Sequence, residues 1–336
     1  MHLPLARYRY TYRMADALRL PEFAGSLLRG QFGAALRRIS CMTRAPSCEG
    51  CPLRATCPYP AVFEAPAPSS HAMQQFSHIP NPYVVEPPPI GTTRIEAGEV
   101  LRFNLVLFGR ALDHLPLISF ALQRAVEHGL GHDRARGHLE HIEVQQSSAA
   151  AAPAWTEIWQ SGDAAIAAHD AKVPTGGDAR THAPPALPPV TQAQLVFETP
   201  LRLQHQGQPL RAHALTPRKF VADLLRRTTL LSEFHADRPN FVSDVHALVG
   251  LAATLEHHHA LRWLDWSRYS SRQQREMHLG GVVGTWTLHG ELDALLPWLE
   301  LGQWLHVGKN ATLGLGAYRL SAAPAPCRPG AIANTA

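Results

Sequence analysis

Lysine is almost missing from this sequence. Of 31 basic residues only Lys172, Lys219 and Lys309 are lysines, leaving 28 arginines, and the formal net charge is just +4. A GC-rich coding bias accounts for much of such an excess. The functional reading is recognition of phosphates and base edges, which suits the planar guanidinium. Apolar runs long enough to cross a bilayer are also missing, so at 45% hydrophobic residues a soluble globular protein with no membrane partner is expected. The opening MHLPLARYRYTYRM has arginines where a secretory leader would have its apolar stretch, so a cytoplasmic location is expected. Cysteine is scarce, five in all, yet four of them crowd into residues 41–57.

What is present is a repeated plan. LVLFGRALDHLP is followed by an apolar helix and then HGLGHDRARGHLEHIEV; TWTLHGELDALLP is followed by an apolar helix and then HVGKNATLGLGAYRL. Gly109 and Pro116 stand seven apart, as do Gly290 and Pro297, so each unit reads strand, turn, helix, Gly-rich loop, strand. Residues 3–14 alternate, with Tyr8, Tyr10 and Tyr12 on one side and Arg7, Arg9 and Arg13 on the other, which predicts a strand with a basic face. A helix follows from about Phe23 to Ile39, and QLVFETPLRL (194–203) with TPRKFVADLLRRTTLLSEF (216–234) repeats the order. Strand, helix, two strands, helix, strand, taken twice, predicts an α+β protein of tandem ferredoxin-like domains, whose sheets can carry RNA. The expected boundaries are a first domain at 1–145, an Ala/Pro-rich linker or insertion at 146–192 with a short helix around Trp155–Ile166, a second domain at 193–322 and a disordered tail at 323–336.

Two local motifs carry chemistry. The loop HVGKNATLGLGAYRL sets Gly308, Gly314 and Gly316 around Lys309, a pattern that suits an anion approaching backbone N–H groups. It is not a P-loop, since Asn310 follows the lysine where Ser or Thr is required. CMTRAPSCEGCPLRATC places Cys41, Cys48, Cys51 and Cys57 in a C-x6-C-x2-C-x5-C pattern. In a reducing compartment a thiolate-bound metal, tetrahedral zinc or an iron–sulphur cluster, is the better reading than disulfides. The spacing resembles the [4Fe–4S] loop of base-excision glycosylases, but only 40 residues precede Cys41, too few for a glycosylase catalytic domain. The cluster therefore reads as a staple, a small Cys-rich insertion behind the first helix.

Taken in order, EFAGSLLRGQFGAALRRIS with its cysteines, NPYVVEPP, LVLFG, GLGHDRARGHL, ETPLRL, WLDWSRYSSRQQREMHLGGVVG and HVGKNATLGLGAYRL resemble the CRISPR repeat-processing endoribonucleases of the RAMP superfamily, Cas6-like proteins. The likeness spans about residues 20–145 and 194–320. It implies tandem ferredoxin-like RAMP domains, binding of a CRISPR repeat RNA stem–loop and its cleavage to mature guide RNA. Cleavage would run by 2′-OH attack with no metal, the product would be retained, and other CRISPR effector subunits become expected partners. The alternative it leaves open is a non-catalytic RAMP subunit that caps or scaffolds a guide.

Many relatives carry a histidine in or just after the first helix; residues 23–39 contain none. Candidate catalytic groups are therefore His306 as base, with Lys309, Arg29 and Arg38 to hold and neutralise the phosphate. Candidate RNA contacts are Arg37, Lys219 and the loop glycines Gly308, Gly314 and Gly316. Gly129, Gly131, Arg134 and Arg136 occupy the corresponding loop of the first domain. Arg268 and Arg272, four apart beside Trp266 and Tyr269, suit stacking and phosphate contact if helical or turned. EHHHALRW (His257, His258, His259) reads as a solvated helix end.

Overall fold

The computed structural model describes residues 3–65, 79–146, 153–171, 189–237, 244–270 and 275–324; for 267–270, 275–278 and 324 only the backbone course is described. The first domain runs β1 (Leu5–Met14), β2 (Leu18–Arg19), α1 (Gly25–Ser40), α2 (Pro58–Phe63), β3 (Tyr83–Glu86), β4 (Arg94–Ile95), β5 (Val100–Phe108), α3 (Leu115–His128), β6 (Gly137–Gln145) and β7 (Trp155–Gln160). Its main sheet has the order β3-β5-β1-β6-β7, all antiparallel. Without β7 this is the ferredoxin-like order, fourth strand, first, third, second.

The second domain runs β8 (Val190–Leu201), a small hairpin of β9 (Gln204–His205) and β10 (Gln208–Pro209), α4 (Pro217–His235), α5 (Val245–Ala253), β11 (Glu256–Leu264), a ribbon of β12 (Ser267–Ser270) and β13 (Arg275–His278), β14 (Gly281–His289), α6 (Leu296–Leu305) and β15 (Tyr318–Pro324). Its sheet, β11-β14-β8-β15, repeats the same order.

Alternation builds the first core. Tyr8, Tyr10 and Tyr12 are buried on one face of β1, where Tyr10 and Tyr12 stack on Phe103 and the Tyr10 hydroxyl pairs with Ser119 Oγ at 2.8 Å. Satisfying that hydroxyl removes the penalty of burying it. The opposite face of the same sheet is apolar only at one end: Leu3, Leu5, Val84, Val106 and Phe108 join the core of the second domain, beside Phe220, Trp286 and Leu305. The second domain thus completes its core with residues of the first.

Two expectations fail here. Residues 155–160 form the edge strand β7, hydrogen-bonded to β6, rather than the start of a helix. The alternation in WTEIWQ wins because a free sheet edge lies ready to pair. Residues 256–264 likewise form edge strand β11, not a helix end, so His257 and His259 lie on one side of a strand and His258 on the other.

Candidate nucleic-acid interface

The Gly-rich loop between α6 and β15 is a wedge between the domains. Its single turn, Ala311–Leu313, starts at Asn310 (φ 63°) and ends at Gly314 (φ 89°). Lys309 N donates to Arg202 O at 2.9 Å, Gly316 N to Pro200 O at 3.1 Å, and Thr199 Oγ1 to Gly314 O at 2.7 Å. Leu313 and Leu315 are buried with Phe23 of the first domain and with Leu279, Ile90 and Trp266. A side chain at Gly25, in the first turn of α1, would land on the Leu313 carbonyl oxygen. The loop is therefore keyed onto the start of α1.

This corrects the reading of the loop glycines as a phosphate cradle. A Cβ at Gly308 would stand 2.6 Å from Arg202 O, and one at Gly314 2.6 Å from Val85 O, so the chain's own backbone demands glycine at both. Lys309, in contrast, is exposed and makes no ion pair among the described residues. It is the cation that the loop presents.

His306 does not sit where a base could meet a substrate. The residue is 1% exposed, with φ at 55°, and its Nε2 pairs with Glu86 Oε1 at 3.2 Å. Its Nδ1 is buried without a hydrogen-bond partner among the described residues. Glu86 Oε1 also accepts from Arg7 Nε at 3.0 Å, and Glu86 Oε2 from Asn104 Nδ2 at 3.1 Å. Burial would raise this carboxyl, but the Arg7 guanidinium, the His306 ring and the Asn104 amide outweigh it and hold it at about 2. Sequence reading missed Glu86, Asn104 and Gly25. Only Gly25, a glycine opening an apolar helix, gave a local signal.

The other predicted residues divide sharply. Arg29 lies 4.6 Å over the Phe63 ring and hydrogen-bonds the buried Tyr83, so it serves packing rather than phosphate. Arg37 donates to Ala45 O at 2.6 Å and Pro46 O at 2.8 Å, which ties down the cysteine loop instead of reaching RNA. Arg38 is exposed, with no ion pair among the described residues. In the first domain's loop Gly129 (φ 105°) and Gly131 (φ 71°) make the turn, Arg134 reaches His128 O at 3.4 Å, and Arg136 pairs with Asp16 at 3.2 Å. Lys219 is paired with Asp223 at 2.7 Å, one helical turn on. Arg268 lies in the β12–β13 ribbon rather than in a helix, with its side chain outside the described residues, as is Arg272 altogether. The base of that ribbon is anchored by Trp266, edge-on to Phe23 at 4.9 Å.

The outward face of the first sheet is less basic than its arginines suggest. Register aligns Glu86, Asn104, Arg9 and Glu143 in one row, and Arg102, Thr11 and His141 in the next. Arg9 lies 3.8 Å from Glu143, Arg13 3.0 Å from Glu140 and His141 2.6 Å from Glu157. Arg102 alone in these rows donates only to a hydroxyl, Thr11 Oγ1 at 3.3 Å. It borders an open groove of about 590 Å³ with Arg13, Thr92, Arg94 and Glu99. Arg9 stacks at 3.7 Å over Trp155, brought there by the added strand β7.

Cys41, Cys48, Cys51 and Cys57 are all half-buried, and Thr43 Oγ1 lies 3.8 Å from Cys41 Sγ and 3.7 Å from Cys51 Sγ. A hydrogen bond with Thr43 lowers the Cys41 thiol, helped by the Arg44 backbone and the Arg37 charge, while burial raises Cys48. The donor chemistry suits zinc or iron, but among the described residues no three His, Cys, Asp or Glu side chains converge as a metal site.

Comparison with known families matches the two halves separately. A family model described as an N-terminal domain matches residues 3–171, and that of the CRISPR-associated endoribonuclease Cas6 matches residues 195–318, the Gly-rich loop included. The second domain thus matches the Cas6 family model, over 124 of the 336 residues. Among solved structures, the Cas6 (TTHB231) product complex matches with a TM-score of 0.55 at 16% identity, over 94% of this chain and 100% of that one. Thermus thermophilus Cas6 (TTHB231) gives 0.52 at 16% identity, over 96% of this chain and 100% of that one. A partial Cas6-RT-Cas1–Cas2 complex gives 0.54 at 16% identity over 96% of this chain, which spans only 46% of that longer chain. At such identities the likeness shows the shared fold. No curated protein matches the sequence.

Proposed function

We propose that this chain is a CRISPR repeat-processing endoribonuclease that binds a repeat stem–loop, cuts it without a metal ion and retains the guide. The observation that carries the reading is the Gly-rich loop of a Cas6-family domain, keyed by Leu313 onto Gly25 of α1, with Lys309 exposed beside that junction. In the reaction a ribose 2′-OH loses its proton to water and attacks the adjacent phosphorus in line with the 5′ oxygen, whose bond to phosphorus breaks and which takes a proton from water, leaving a 2′,3′-cyclic phosphate. Lys309 neutralises charge that builds on the phosphorane, and Arg38 is the second free cation proposed to act on the RNA. DNA lacks the nucleophile and would be spared. Retention of the product would hand the guide to other CRISPR effector subunits.

One observation favours a second reading, a guide-binding RAMP subunit that does not cut. Helix α1 contains no histidine, and His306 is buried against Glu86, so neither supplies an accessible base. In both readings the four cysteines are proposed to hold a structural metal, zinc or a [4Fe–4S] cluster, outside the chemistry; this would require the 41–57 loop to tighten.

The test is incubation with 5′-labelled repeat RNA of its own array in EDTA, beside a copy with deoxyribose at the cut position. A single cut ending in a cyclic phosphate and blocked by the deoxy substitution is expected. Tight binding without a cut would favour the second reading, and absence of binding would remove both.

A further inference from the structure

The end of α6 is gripped from both domains. Arg7 of β1 donates to the carbonyl of Gln303 at 2.8 Å and lies 4.4 Å over the Trp304 ring, while Arg227 of α4 donates to the carbonyl of Leu305 at 2.9 Å. Cations at these exit carbonyls oppose the negative end of the helix. The next residue is His306, the first of the Gly-rich loop. Its positive φ is one that a side chain of this size rarely adopts, so its surroundings must hold it there.

What holds it comes from the other domain. His306 Nε2 meets Glu86 Oε1 on β3, 220 residues away in sequence. Glu86 is fixed in turn by Arg7 and Asn104, and Arg7 Nη1 also donates to Gln145 Oε1 on β6 at 2.8 Å. One network thus ties four strands of the first sheet, β1, β3, β5 and β6, to the residue from which the loop departs. The loop has a second attachment at Leu313 on Gly25, and Lys309 lies between the two.

We propose that Arg7, Glu86 and His306 form an interdomain latch that fixes the starting point of the Gly-rich loop, and so act as positioning residues for Lys309. An ordinary buried polar cluster would stabilise the whole protein evenly. A latch stabilises one segment, residues 307–316, relative to the first domain. The inference rests on the nuclease reading only for its effect on cleavage.

The test pairs Glu86→Gln with His306→Asn, which takes away the ring nitrogen that meets Glu86. Hydrogen exchange is measured across the chain, and repeat RNA cleavage is measured at saturating RNA. Both single variants should speed amide exchange within 307–316 by about tenfold beyond any change at β1 and β5 amides, and the double variant by no more than either. Cleavage should slow by about tenfold while the Kd for a deoxy-blocked repeat stays within about twofold. If Glu86→Gln does not fold, Asn104→Ala, which removes only the Oε2 donor, should show the same pattern at smaller amplitude. Unchanged loop exchange, or an even rise across both sheets, would overturn the latch. A wild type that cuts no repeat RNA would instead sink the nuclease reading, and loop exchange would still decide the latch.

Discussion

Two glycines in α1 stand five residues apart and should respond oppositely to the same change. At Gly25 an added methyl would fall on the Leu313 carbonyl oxygen, 2.9 Å from its carbon and 3.0 Å from Phe23 Cε1; at Gly30 it would meet nothing within 4 Å. Alanine favours helix by about 1 kcal/mol over glycine in either place. At Gly30, which is exposed, that gain is unopposed, so Gly30→Ala should stabilise by about 0.5–1 kcal/mol. At Gly25 the loop or the helix must retreat by about an ångström or more, and such overpacking costs about 1–3 kcal/mol, enough to cancel the helix gain and reverse its sign. Urea melts of the two variants beside wild type measure both, and each kcal/mol should also move Tm by about 2–4 °C. Because the obstacle is loop backbone, Gly25→Ala should also weaken protection of amides 311–316. A Gly25→Ala protein as stable as Gly30→Ala, with that loop undisturbed, would refute the keyed junction.

Further outcomes follow from the same contacts. Glu86 binds its proton at about 2 when folded, so the unfolded chain takes up protons first as pH falls. Its contribution, up to about 3 kcal/mol at ~1.4 kcal/mol per unit, should be complete above its ordinary carboxyl range and disappear as pH drops towards 2. Glu86→Gln should flatten that acid limb in urea melts, and a wild-type profile with no loss over that window would count against the pairing. Lys309→Ala should weaken binding of any repeat variant by a similar factor and lower the salt slope of log K by about 0.7, a value measurable by titration at several salt concentrations. Anaerobically purified protein should contain about one zinc or about four irons per chain, with absorbance near ~400 nm only for iron, and Cys48→Ser with Cys51→Ser should remove it. Sub-stoichiometric metal with full thermal stability would discard the staple.

The repeated fold was legible because its signals are local. Alternating tyrosines, proline-started helices and the paired Gly–Pro spacings each need only a dozen residues to be read, and both sheets follow from them. What failed depends on distant partners. WTEIWQ becomes a strand only because β6 offers an edge, and nothing in the 306–316 segment announces Glu86. Arg9 and Arg13 look basic in sequence, yet their carboxylates, Glu143 and Glu140, arrive from another strand. Arg37 was read as a ligand for RNA, but the carbonyls it binds belong to the loop that follows it. Lys309 was the site residue that could be judged in isolation, since exposure in a tight glycine turn leaves a lysine little else to touch.

Separate family models match the two halves, as though each were a part that could be exchanged between proteins. The packing says otherwise. Leu3, Leu5, Val84, Val106 and Phe108 point out of the first sheet and into the interior of the second domain. An excised second half would open a hydrophobic wound where those five side chains had been, and the first half would carry them into water. The boundary that inheritance recognises is thus not one at which the molecule can be cut. Its halves should melt together in one transition, and neither should outlive the other in a protease digest.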